Sequence, residues 1–176
     1  LVDLTDGTTR PIALTADADA LGDPIERRRL QGADNVAFTS DGKQFAFVAG
    51  HDVFVMDRIL KEPVQVTDTP AIEGDLCFAK DGKRLWFVSE HGGEVDVWEA
   101  TCSRDDGAWW RATPLSFALR KLTDDAAVEA RLVLDPTGAK IAYLRGGDLF
   151  TMGADGTEPR LVVAGWDAPS FDWSPD

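Results

Sequence analysis

The chain has 176 residues, with 31 acidic side chains against 18 basic ones and a formal charge of -13. Hydrophobic residues at 44% and charged residues at 28% supply an ordinary globular core, which excludes disordered and collagen-like classes. The acidic surplus argues against nucleic-acid binding, which needs clustered Lys and Arg, and no apolar run approaches the roughly 18 residues of a membrane helix.

A repeated phrase organises the chain. Val36-Ala-Phe-Thr-Ser-Asp-Gly-Lys43 leads into Phe45-Ala-Phe-Val48 and then Val53-Phe-Val-Met56; Leu76 to Trp98 and Leu132 to Met152 repeat it. Ser170 to Asp176 opens a further copy. The turn glycines are Gly42, Gly82 and Gly138, and a period near 40 residues built from short apolar strands is that of a propeller blade. The predicted fold is all-β: a β-propeller fragment with three complete four-stranded blades and partial blades at both ends.

In chain order, residues 1–5 (Leu1-Val-Asp-Leu-Thr5) fit the outer strand of a preceding blade and show no charged region with an apolar stretch behind it, so no targeting signal is expected. Residues 6–33 form an insertion. Within it, Asp23-Pro24 before a run ending at Gly32 predicts a short helix, with aspartate as N-cap and glycine after the end. Arg27-Arg28-Arg29 on that helix docks an acidic partner or a neighbouring domain, or forms a solvated face that complements the helix dipole and the acidic surround. Asp17-x-Asp19 hints at a calcium loop, but Leu21 and Arg28 stand where oxygen ligands are required.

Residues 34–68 are the first full blade and 69–124 the second, interrupted by an insertion at 101–118; residues 125–163 are the third, and 164–176 begin a following inner strand. Predicted inner strands cover 36–40, 75–79, 131–135 and 170–174. Each ends at Asp-Gly or a variant, where glycine accepts a positive φ. Trp109-Trp110-Arg111 lies in the second blade's insertion. Paired tryptophans left in water are costly, so they fold onto their own blade or anchor a partner or interdomain contact.

Cys77 and Cys102 are too few for a disulfide framework and too far apart for a CxxC motif. His51 and His91 each follow their turn glycine by nine residues, which places them in the loops between second and third strands, on one rim and one blade apart. That separation is too great for shared metal ligation, so neither metal nor cofactor is expected. Glu73 and Glu129 each precede their turn glycine by nine residues and are predicted in loops entering the inner strands, near the central channel. They form a small acidic ring attracting cations or peptide N-termini, or are loop carboxylates that are solvated or hydrogen-bonded to neighbouring backbone amides. No Gly-x-Ser-x-Gly, His-Glu-x-x-His, phosphate-binding or dinucleotide-binding motif occurs, so no catalytic residue is nominated.

Ser40-Asp41-Gly42-Lys43, Asp81-Gly82-Lys83, Pro136 with Gly138, and Ser174-Pro175-Asp176, each leading toward an Ile-Ala-Phe-like strand, resemble the WD-like propeller repeat of TolB-type proteins, tricorn-type proteases and prolyl-oligopeptidase relatives. The sequence departs from that pattern at Ser40, Lys80 and Thr137. The resemblance implies a noncatalytic propeller module, part of a larger tricorn-like or related serine peptidase, that gates peptides or mediates protein contacts. The alternative is a TolB-like interaction scaffold in the periplasm. Either implies protein or peptide partners, or other domains or blades of the same protein, with no nucleic acid and no membrane insertion. An exported location follows from TolB relatives and a cytoplasmic one from oligopeptidase relatives.

Overall fold

The computed structural model describes residues 32–166 and 169–174. The opening outer strand, the helix with its arginine run, the rejected calcium loop and the terminal Pro175-Asp176 lie outside the described residues.

Among the described residues, twelve strands form three antiparallel four-stranded sheets, each in simple sequential order. The first holds β1 (Asp34–Phe38), β2 (Gln44–Ala49), β3 (Asp52–Asp57) and β4 (Pro63–Gln65). The second holds β5 (Glu73–Phe78), β6 (Arg84–Ser89), β7 (Asp96–Thr101) and β8 (Ala118–Lys121). The third holds β9 (Glu129–Leu134), β10 (Lys140–Arg145), β11 (Asp148–Gly153) and β12 (Arg160–Val163). Residues 169–174 form no ladder, although Phe171 and Trp173 pack on the third sheet and Trp173 Nε1 donates to the Val133 carbonyl at 3.0 Å.

The hairpin turns follow from their residues. Gly42 takes φ +63° while its N–H donates to the Thr39 carbonyl at 2.8 Å, and Asp41 Oδ1 accepts the Lys43 N–H at 3.1 Å. Gly82 (φ +66°) and Asp81 repeat this geometry. In the third turn Asp135 replaces that aspartate and accepts the N–H groups of Ala139 and Lys140 at 2.7 and 2.8 Å. The variant turn thus closes with a different aspartate.

The strands pack in sequence because their two faces are both apolar. Leu85 and Phe87 of β6 face the first sheet, meeting Ala46, Val48, Val53 and Val55. Trp86 and Val88 face the third, meeting Leu132, Ile141, Tyr143 and Met152. Burial on both faces explains the near-continuous apolar run in β6, where a one-sided sheet would alternate. Burying each such side chain stabilises the stack by roughly 1.5–3 kcal/mol.

The inner strands β1, β5 and β9 each contain a bulge, where Asn35, Asp75 and Arg131 take φ of 50°, 47° and 59°. All three precede their turn glycine by seven residues. The register shift beside each bulge lets pairing continue beyond it, so the inner strands start earlier than the apolar pattern predicts. One bulge also ties two blades together, since Arg131 N–H donates to Asp75 Oδ2 at 2.8 Å.

Candidate functional site

A repeated polar arrangement joins consecutive blades at one end of the strands. Asp52 and Asp96, both buried, open β3 and β7. In the first blade Thr67 Oγ1 accepts the Val53 N–H at 2.8 Å and donates to Asp52 Oδ1 at 3.4 Å. In the second, Thr123 Oγ1 accepts the Val97 N–H at 2.9 Å and donates to Asp96 Oδ1 at 3.1 Å. A threonine ending each outer segment therefore locks it to the start of the strand beside it.

Glu73 and Glu129 stand next to these locks and correct the loop expectation. The bulges carry pairing past them, so they are the first residues of β5 and β9, opposite Ser89 and Arg145. They are 3% and 1% exposed, so neither is a solvated carboxylate. Their surroundings then diverge. Glu73 Oε1 accepts from Thr69 Oγ1 at 2.8 Å and Ser89 Oγ at 3.2 Å, while Oε2 has no hydrogen-bond partner. Burial pushes its carboxyl up to about 7; the hydroxyls of Thr69, Ser89 and Thr67 pull against this and Asp52 adds to it.

Glu129 meets a cation instead. Arg145 Nε lies 3.8 Å from Glu129 Oε1, its Nη2 lies 2.7 Å from Asp125 Oδ2, and its guanidinium carbon is 5.2 Å from the centre of the Phe150 ring. Burial, then the carboxylates of Asp125 and Asp96, push Glu129 up to about 8, against the pull of Arg145.

Beside Glu73 there is a cavity of about 160 Å³. Phe87, Trp98 and Leu119 form its apolar wall, and Thr67, Thr69, Ser89, Glu73 and His91 its polar end. The His91 ring packs edge-on to Trp98 at 5.4 Å between centroids, and the His91 backbone N–H donates to Ser89 Oγ at 3.1 Å. A cavity this small takes one side chain rather than a drug-sized molecule. A larger concavity, about 550 Å³, lies at the opposite ends of the strands, where Lys140, Asp155, Glu158 and Arg160 line it as exposed groups.

Of the residues singled out from sequence, the fold brings Glu73 and His91 to one cavity. His51 is an exposed turn residue with φ 78°, linked to the site only through its carbonyl, which accepts the Glu73 N–H at 3.2 Å. Glu129 serves the next blade join. Trp109-Trp110-Arg111 forms a 3-10 turn at the other end of the sheet. Trp109 is fully buried, stacked on Phe117 at 5.0 Å, with Nε1 donating to the Gly82 carbonyl at 2.6 Å. That burial removes Trp109 from the surface on which it was weighed as an anchor. Half-buried Trp110 carries the Arg111 guanidinium over its ring at 4.6 Å, and Arg111 Nη1 reaches Asp106 at 4.0 Å.

Sequence reading passed over Ser89, Trp98 and Arg145. The signal was present in the phase of the repeat: Ser89 and Arg145 each follow their turn glycine by seven residues, and Trp98 and Phe150 hold matching places opposite Phe87 and Tyr143.

No family model matches the chain, and no curated protein matches it in sequence. In fold it is similar to a TolB-type protein from Agrobacterium tumefaciens, at TM-score 0.61 and 18% identity over 76% of this chain and 50% of that one. A structure of the nidogen/laminin complex aligns at TM-score 0.60 and 12% identity, over 80% of this chain and 51% of that one. A puromycin-hydrolyzing peptidase from Mycobacterium tuberculosis aligns at TM-score 0.53 and 18% identity, over 76% of this chain and 22% of that one. The chain spans about half or less of the length of these structures. At such identities the likeness is one of fold, and the three stacked sheets are blades of a β-propeller.

Proposed function

We propose that this chain is a noncatalytic propeller module that acts by contact with a polypeptide, within a longer protein resembling the tricorn-type or related serine peptidases, where it gates or channels peptides. The observation that carries the reading is the cavity beside Glu73: it is sized for a side chain, and its hydroxyl, imidazole and carboxylate are not arranged for nucleophilic attack. Ser89 Oγ donates to Glu73, and the His91 ring rests on Trp98 instead of taking the serine proton. The fold likeness to a peptidase supports a peptidase context.

A TolB-like interaction scaffold in the bacterial periplasm is the second reading. It is favoured by the higher fold similarity to the TolB-type protein, TM-score 0.61 against 0.53 for the peptidase. Reading the gene on both sides of this segment separates the two. An in-frame serine-peptidase region with weak, sequence-tolerant peptide binding fits the gating module. Further blades without such a region, and one saturable protein partner, fit the scaffold. Peptide hydrolysis by the purified chain itself would overturn both.

A further inference from the structure

The two blade joins hold the same site in two states of chemistry. Glu129 and Glu73 are equivalent in the repeat, as are their cross-strand partners Arg145 and Ser89, and the aromatic residues Phe150 and Trp98. In the second join the Arg145 guanidinium fills the space between carboxylate and ring. In the first join serine replaces that arginine, and a cavity of about 160 Å³ lies between the buried Glu73 carboxylate and the Trp98 ring. Its mouth is bordered by His91 and Leu119, both exposed.

We propose that the cavity bounded by Glu73, Ser89, His91 and Trp98 is a binding site for an arginine side chain supplied by a partner polypeptide, which takes the place that Arg145 occupies within the next blade. The assignment deepens the contact-module reading above by naming the chemistry of the partner. A guanidinium is planar, pairs with a carboxylate in a forked geometry and stacks on aromatic faces, so it meets both walls at once. Glu73 Oε2, buried and without a hydrogen-bond partner, is the acceptor it would satisfy. The hydroxyls of Thr69 and Ser89 already hold Oε1, which fixes the direction in which Oε2 is presented. The groups facing Glu73 are Asp52 from β3, Thr67 and Thr69 before β5, Ser89 at the end of β6 and His91 beyond it. At pH 8, above the value of about 7 to which burial raises it, Glu73 is ionised and presents a carboxylate to the cavity.

The test uses the whole chain at pH 8 and titrates it calorimetrically with N-acetyl-arginine methylamide, then with the citrulline analogue, which keeps the shape and lacks the charge. Saturable binding of the arginine compound is expected, about tenfold or more tighter than that of the citrulline compound. Glu73→Gln should weaken it to the citrulline level. Ser89→Arg should abolish it by placing an internal guanidinium in the cavity, and Glu129→Gln should leave it unchanged. Thermal melts show that each variant is folded; if Ser89→Arg is not, Glu73→Gln decides.

Equal binding of both compounds, retained binding in Glu73→Gln, or no saturable arginine binding at tens of millimolar would overturn the assignment. Equal affinity for N-acetyl-lysine methylamide would overturn the guanidinium specificity. Because the probes are single residues, their failure removes this site while leaving the contact-module reading to its own gene-context and partner tests.

Discussion

Replacing Glu73 with glutamine should stabilise the protein in alkaline solution and do almost nothing in mild acid. Glu73 ionises near 4.5 in the unfolded chain and near 7 in the fold. Below pH 4.5 the carboxyl is neutral in both states and carries no charge-burial penalty. Between pH 4.5 and about 7 the unfolded chain releases the proton that the folded chain keeps, so stability falls as pH rises and then levels off. At 1.36 kcal/mol per pKa unit the loss reaches roughly 3 kcal/mol. Glutamine keeps an oxygen for Thr69 and Ser89 to donate to and never ionises. Urea unfolding at pH 4.5 and pH 8 measures the effect. The Glu73→Gln variant should match the parent at pH 4.5 and exceed it by roughly 2–3 kcal/mol at pH 8, near 8 °C in melting temperature for a domain of this size. Equal effects at both pH values would refute the reasoning, because they would mean that the fold holds the Glu73 proton no more tightly than the unfolded chain does.

Trp109→Ala removes a fully buried ring and its bond to Gly82, and should cost about 3–5 kcal/mol by urea unfolding, whereas Trp110→Ala should cost about 1 kcal/mol or less. Arg145→Ala leaves Glu129 beside Asp125 and Asp96 with no guanidinium, and should cost roughly 2 kcal/mol at pH 9, where Glu129 is ionised, and less at pH 5. Comparing unfolding midpoints at the two pH values checks the difference. Gly42→Ala forces φ +63° on an alanine whose Cβ meets only Arg58 Nη1 at 3.7 Å, so the cost, about 1 kcal/mol by thermal unfolding, is backbone strain alone.

The blades were legible because their signal is local. An Asp-Gly turn states its own φ requirement, and apolar runs such as Phe45-Ala46-Phe47-Val48 state that both faces are covered. The bulges were not legible. Asn35, Asp75 and Arg131 share no side-chain type, and the positive φ they adopt is imposed by pairing and by contacts such as that from Arg131 N–H to Asp75. Missing the bulges placed Glu73 and Glu129 in loops, although they are the first paired residues of their strands.

The Trp109-Trp110 pair makes the same point at the other end of the sheet. Two identical neighbours receive opposite fates, since Trp109 enters the core of the first blade join and Trp110 stays at its edge under Arg111. Adjacent residues in that short turn point in different directions, and which one meets Phe78 and Phe117 is decided by the sheet they land on.

By itself the sequence determined the repeat, the turn chemistry and the two-faced apolar strands, because each depends on residues within a few positions of one another. Only the tertiary structure decided that Glu73 and Glu129 are buried and that one meets Arg145 while the other borders a cavity with Trp98 and His91. Burial and pairing of a charge are set by what the neighbouring blade brings within a few ångströms, and that distance is a property of the stacked sheets.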